Sequence, residues 1–171
     1  MKKIIVITFT VLLIFFSGFL TRQLLPTKHA KSKTMKKVTG IGGIFFKCKE
    51  PAKVKEWYSK HLGLKMDQYG TSFEWRQGDD PRKYGFTQWS AFSDSTKYFD
   101  PSVKDFMINY RVHDMESLVI ELKRDGVMIV DSIESFNYGK FVHILDNEGN
   151  KIELWEPVEA EYDKIIKART K

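Results

Sequence analysis

Two stretches of this chain repeat one another at nearly constant spacing, and that duplication limits the fold more than any other feature. Phe46-Lys47-Cys48-Lys49-Glu50 aligns with Tyr110-Arg111-Val112-His113-Asp114, and His61-Leu62-Gly63-Leu64 aligns with Arg124-Asp125-Gly126-Val127, at offsets of 64 and then 63 positions. Each copy reads as a strand, a helix and three further strands. In the first, Val38–Cys48 is a strand and Pro51 opens a helix after Glu50. Val54, Trp57, Tyr58 and Leu62 recur at helical spacing and predict its buried face, and Gly63 stops it. Strands are predicted at Leu64–Gln68, Ser72–Arg76 and Phe86–Phe92, with a polar loop, Gln77–Tyr84, before the last. After a turn-rich linker, Ser93–Ser102, the order recurs with strand Phe106–Val112 and helix Met115–Asp125, whose Leu118, Val119 and Leu122 point inward. Strands Val127–Ser132, Lys140–Leu145 and Lys151–Glu156 complete the second copy. A duplicated β-α-β-β-β unit predicts an α+β architecture in which two half-open sheets, each covered by its helix, bury one another's faces and leave a cleft between them.

The last two strands form a hairpin, because β-branched and aromatic runs flank the turn formers Asp146-Asn147-Glu148-Gly149-Asn150. Strand alternation puts Phe141 and His143 on one face and Val142 and Ile144 on the other. On the return strand Lys151, Glu153 and Trp155 oppose Ile152 and Leu154. One face therefore carries a carboxylate, Glu153, among apolar and aromatic neighbours. A hairpin serving only as core would not need it.

The turn and the Ile-Glu-Leu-Trp-Glu-Pro that follows it resemble the closing hairpin of the vicinal-oxygen-chelate (VOC) superfamily, which includes glyoxalase I, bleomycin-resistance proteins, fosfomycin-resistance enzymes and extradiol dioxygenases. The resemblance covers about Val38–Pro157 and implies a cup built from two tandem modules, 38–92 and 104–157. It implies that Glu153 points into the cup, where superfamily members often use the equivalent residue as a metal ligand, and that His143, three residues before the turn aspartate, faces it too. The first-strand ligand positions fall at Gly43 and Met107, and the last-strand position of the first module near Gln88 or Trp89. Glycine has no ligand atom, and a thioether is too soft for an oxygen- and nitrogen-rich divalent site. Even with His143, two protein ligands fall short of the three that a catalytic zinc takes. The expectation is a cup without the full metal site and without a cofactor.

What remains is a polar set inside an aromatic wall. Phe45 from the first module and Met107, Asn109 and Arg111 from the second should face the cleft, with Trp89 and Trp155 as further lining candidates. Asn109 would orient a ligand, and Arg111 would pair a carboxylate or phosphate. His143 and Glu153 sit on adjacent strands within reach of a general acid-base pair. The plainer reading is that His143 only satisfies Glu153. Two functions follow: a glyoxalase-like lyase or isomerase using His143 and Glu153, or a bleomycin-resistance-type binder that sequesters a small molecule without turnover.

Charge and hydropathy place the rest. The net charge is +6, but residues 1–40 hold eight Lys/Arg and no Asp/Glu, leaving 20 Lys/Arg against 22 Asp/Glu beyond them. The globular part is not basic, and nucleic acid drops out as a partner. Residues 1–25 read as a signal peptide or transmembrane anchor built on the apolar run Ile4–Leu20, roughly 25 Å of helix at about 1.5 Å per residue. No small-x-small cleavage site follows it, which favours an uncleaved anchor. Residues 26–37 form a basic linker suited to anionic headgroups or to solvent. The expected location is the membrane with the domain extracytoplasmic; a start at Met35 would leave it cytoplasmic. The lone Cys48 excludes an intramolecular disulfide. Residues 158–171 are expected to form an amphipathic helix, either docked on the domain or serving a homodimer contact.

Overall fold

The computed structural model describes residues 37–169. The apolar run and most of the basic linker lie outside them. Among the described residues no helix is long and apolar enough to cross a membrane.

The first module supplies strand β1 (Val38–Cys48), helix α1 (Pro51–Leu62) and strands β2 (Thr71–Arg76) and β3 (Tyr84–Ser93). The second supplies β4 (Phe106–Val112), α2 (Met115–Arg124), β5 (Met128–Ile129), β6 (Glu134–Phe136), β7 (Gly139–Leu145) and β8 (Lys151–Pro157), and α3 (Glu159–Arg169) follows. The strands form one eight-stranded sheet in the order β2-β3-β1-β4-β8-β7-β5, with β6 also on β7. The modules join where β1 runs antiparallel to β4, and Ile44 lies directly opposite Ile108. Those two residues are 64 positions apart, the repeat offset itself. The duplication is therefore an approximate two-fold about that pair.

The hairpin has the expected faces: His143 opposes Glu153 and Phe141 opposes Trp155. The other face packs on α2, where Val112, Met115, Leu118, Val119, Val142, Ile144 and Leu154 are buried together. Each such aliphatic side chain contributes about 1.5–3 kcal/mol by leaving water. Helix α2 is fixed at its N-terminus, since the Asp114 carboxylate accepts from Ser117 N–H and the Glu156 carboxylate accepts from the Asp114 and Met115 N–H groups. Satisfying orphan donors at an N-terminus stabilises a helix. At the other end of α1, Gly63 takes φ +70° and its N–H reaches Ser59 O, the left-handed cap expected of it.

Three expectations need correction. Helix α1 buries no residue, and Trp57 and Leu62 are 52% and 57% exposed. Only Val54 and Tyr58 of its expected apolar face are turned inward, Tyr58 against Trp89. The segment Leu64–Gln68 forms no strand: the Asp67 carboxylate folds back onto the Tyr69 and Gly70 N–H groups, and Lys55 Nζ draws in the Asp67 and Gln68 carbonyls. The strand expected over Val127–Ser132 shrinks to Met128–Ile129, because the Asp131 side chain, not a strand carbonyl, accepts the His143 N–H. A side chain that competes for a ladder donor ends the ladder.

Trp75 is seated across two strands. It lies opposite Gly85, its Nε1–H donates to Thr87 Oγ1 at 3.0 Å, and a Cβ added at Gly40 or Gly85 would overlap its ring. Gly85→Val should lower stability by about 1–3 kcal/mol through overpacking, read as a lower urea midpoint with an unchanged far-UV spectrum. An unchanged midpoint would show that the ring is not held there.

Candidate functional site

A row of side chains crosses the sheet at one level. Register pairs Gln88 with Gly43, Gly43 with Asn109, Asn109 with Glu153 and Glu153 with His143. The cup above this row is a cavity of about 480 Å³. Phe45, Tyr69, Gln88, Ser90 and Phe92 wall it from the first module, Tyr98 from the linker, Asn109, Tyr138, Phe141, Glu153 and Trp155 from the second, and Tyr162 and Ile165 from α3. Backbone makes room at Gly42, where a Cβ would overlap the Asn109 amide and the Trp155 ring.

Glu153 is the polar centre of the cup and is 3% exposed. Asn109 Nδ2 donates to its Oε1 at 2.5 Å, and the Tyr98 hydroxyl and His143 Nε2, the latter at 3.1 Å, reach its Oε2. Buried carboxylates are tolerated only when partnered in this way. His143 is itself held from behind, its Nδ1 lying 2.6 Å from Asp131 Oδ2. With a carboxylate at each nitrogen, both ring nitrogens donate, which favours the imidazolium. Burial pulls the His143 pKa down, but the Glu153 hydrogen bond and charge, aided by Asp131, outweigh it and leave the ring above its usual value. Burial and the Glu153 charge push the Tyr98 phenol well above its ordinary value, so it stays protonated and donates.

The linker is pinned as firmly as the strands. Tyr98 stacks on Phe92 at 5.6 Å and stands edge-on to His143 at 5.4 Å. Lys151 Nζ donates to the Tyr98 carbonyl at 2.7 Å, and burial lowers its pKa against the pull of Asp131 and Glu153. Phe99 is fully buried against Phe45 and Met107.

The structure thus brings Phe45, Asn109, Glu153 and Trp155 to the cup wall, with His143 directly behind Glu153. Three expected residues stand elsewhere. Met107 lies under the wall in the core with Phe45 and Phe99. Trp89 sits on the far face of β3 against Phe46 and Tyr58, a consequence of strand alternation, while its neighbours Gln88 and Ser90 line the cup. Arg111 is 2% exposed and paired with Glu159 of α3. Tyr98, Asp131, Tyr138 and Phe141 are site residues that the sequence reading did not select. Alternation could have given Phe141, which shares a face with His143, but nothing local marks Tyr98 or Asp131, which arrive from loops.

The metal that the resemblance implies would have to be held by these donors. In the first module Phe45 pairs with Ser90 as Asn109 pairs with Glu153 in the second, so the counterpart of Glu153 is Ser90, one residue beyond the range expected. The symmetric set is then Phe45, Ser90, Asn109 and Glu153, a single carboxylate with neutral or apolar partners. Gly43 and Met107, the alternative first-strand positions, add no hard ligand. Both Glu153 oxygens already accept hydrogen bonds. Among the described residues no group of three or more His, Cys, Asp or Glu is arranged to hold a metal. The residues present do not fit a divalent cation.

No protein-family model matches the sequence, and no curated protein does. Solved structures match in fold. Methylmalonyl-CoA epimerase from Mycobacterium tuberculosis superposes with a TM-score of 0.51 at 22% identity, over 75% of this chain and 95% of its own. A variant of Streptomyces coelicolor methylmalonyl-CoA epimerase in complex with 2-nitronate-propionyl-CoA gives 0.54 at 13% identity, over 71% and 99%. A glyoxalase/bleomycin resistance protein/dioxygenase superfamily member from Vibrio splendidus 12B01 gives 0.44 at 11%, over 69% and 98%, too loose a superposition to argue from. The chain has the vicinal-oxygen-chelate fold.

The raised His143 pKa has a definite sign. The folded state holds this proton more tightly than the unfolded chain, so the contribution is complete below the unfolded value of about 6.5 and is lost as pH rises through the folded one. The thermal midpoint should fall as pH rises above about 6.5 in the wild type and lose most of that slope in His143→Asn. An equal slope in both would place the titration elsewhere.

Proposed function

We propose that this domain binds a small, largely apolar organic molecule in the intermodule cup and does so without a metal. The observation that carries this is the wall itself: eight aromatic side chains surround one buried carboxylate in a space of about 480 Å³. Ligand sites are concave, mostly apolar and furnished with a few convergent polar groups, and Gln88, Ser90, Asn109 and Glu153 are those groups here. Two buried polar atoms in this wall, Asn109 Oδ1 and Trp155 Nε1, have no hydrogen-bond partner, a cost that folded proteins accept mostly where function requires it. Binding without turnover is favoured because Glu153 and both nitrogens of His143 are engaged with each other, Asn109, Tyr98 and Asp131. A general base needs a free lone pair aimed at the substrate. The second reading, a glyoxalase-like lyase or isomerase, draws support from Glu153 lining the cup with His143, its pKa raised, hydrogen-bonded behind it. The epimerases similar in fold are named for methylmalonyl-CoA, but likeness at this identity carries the fold alone. The apolar run Ile4–Leu20 and its basic flank support holding the cup at a membrane surface.

The test uses a neutral aromatic probe, 2-naphthamide, titrated into the full chain by calorimetry. Saturable binding is expected, and Ser90→Leu, which projects a branched chain into the cup, should abolish it. Glu153→Gln should weaken binding by no more than about tenfold, since the amide remains hydrogen-bonded in place. Equal binding by Ser90→Leu would put the ligand elsewhere. A metabolite turned over by the wild type and not by Glu153→Gln would favour the enzyme.

A further inference from the structure

Arg111 stands on β4 two residues beyond Asn109 and pairs across to Trp155, at one end of the cup. A guanidinium buried this deeply requires a counter-charge. It comes from outside both modules: Glu159, the first residue of α3, pairs with Nη2, while Nη1 donates to Thr39 Oγ1 at 2.7 Å. Gln77 Nε2 holds Glu159 only loosely, at 3.3 and 3.5 Å. The small void beside this pair is walled by Trp155 and Tyr162, both of which also line the cup. The two spaces are neighbours that share the Trp155 and Tyr162 side chains.

That helix is lightly held. None of its side chains from 159 to 165 is buried, and its seat is Tyr162, edge-on to Trp155 at 4.5 Å and to Phe86 at 5.9 Å. Elements with few buried contacts open at low free-energy cost. No lysine or arginine is among the residues that line the cup as it stands, and Arg111, beside its end, is a cation that an anionic ligand could reach by displacing Glu159.

We propose that Glu159 is an in-chain stand-in for the carboxylate of a ligand. Helix α3 lifts, an aromatic carboxylic acid lays its ring in the cup, and its carboxylate takes the place of Glu159 on Arg111. The inference rests on the cup reading above and adds the charge of the ligand. Planar, two-pronged pairing with carboxylate is what the guanidinium is built for.

The experiment compares 2-naphthoate with 2-naphthamide, equal in ring and opposite in charge, on the full chain and on Glu159→Gln. The glutamine leaves Arg111 without its counter-charge, so naphthoate should bind the variant at least about tenfold more tightly than the wild type, with naphthamide changed by less than about twofold. Naphthoate should also raise the thermal midpoint of Glu159→Gln more than that of the wild type, a readout that survives if the variant is less stable. The double variant Arg111→Gln/Glu159→Gln, which removes both charges together, should lose the naphthoate gain. Equal binding of both probes by wild type and Glu159→Gln overturns the carboxylate assignment and leaves the cup reading standing. Failure of both probes to bind any form overturns both.

Discussion

The buried carboxylate of Glu153 is the interaction on which the rest of this structure depends. An ionised group in an aromatic cavity is costly unless its lone pairs are taken up, and here three donors from three separate parts of the chain do so. Asn109 comes from β4, His143 from β7 and Tyr98 from the linker between the modules. Each donor is in turn fixed by something else: Asp131 orients the imidazole, Lys151 holds the Tyr98 backbone, and the Gly42 backbone leaves space for the Asn109 amide. The network ties the linker to the hairpin as well as placing a charge in the cup.

The two modules are related by the repeat, with three strands in the first and five in the second, and are unequal in use. Strand pairing coincides with the sequence repeat at Ile44 and Ile108, yet Ser90 stands where the second module has Glu153. The second module also carries the larger core, a cluster of seven buried residues to which α2 contributes Met115, Leu118 and Val119, whereas α1 buries none of its own. The polar chemistry and the stabilising burial are concentrated in the same half, and the first module contributes mainly apolar wall and the amides and hydroxyl of Gln88 and Ser90.

Period and punctuation made much of this legible in advance. The repeat offset identified two modules, the turn around Gly149 located the hairpin, and alternation put His143, Glu153 and Trp155 on one face. The misses share a cause. Leu64–Gln68 and Val127–Ser132 have strand composition, but side chains of Asp67, Lys55 and Asp131 capture the backbone groups a ladder would use. Trp89 is a lining candidate by its aromatic character, but it stands one residue from Gln88 and Ser90, and one residue exchanges faces. Tyr98 and Asp131 come from segments without periodicity, and Arg111 looked available because its partner lies 48 residues away on a helix whose docking no local pattern reveals.

The proposed role of Glu153 is that of a hydrogen-bonded wall of the cup that holds no metal. The most direct measurement is elemental analysis of the full chain purified without a chelating tag, followed by thermal denaturation with a series of divalent cations. Substoichiometric metal and no cation-specific rise in the midpoint are expected. One equivalent of bound metal, with a stabilisation that disappears in Glu153→Gln, would contradict that role.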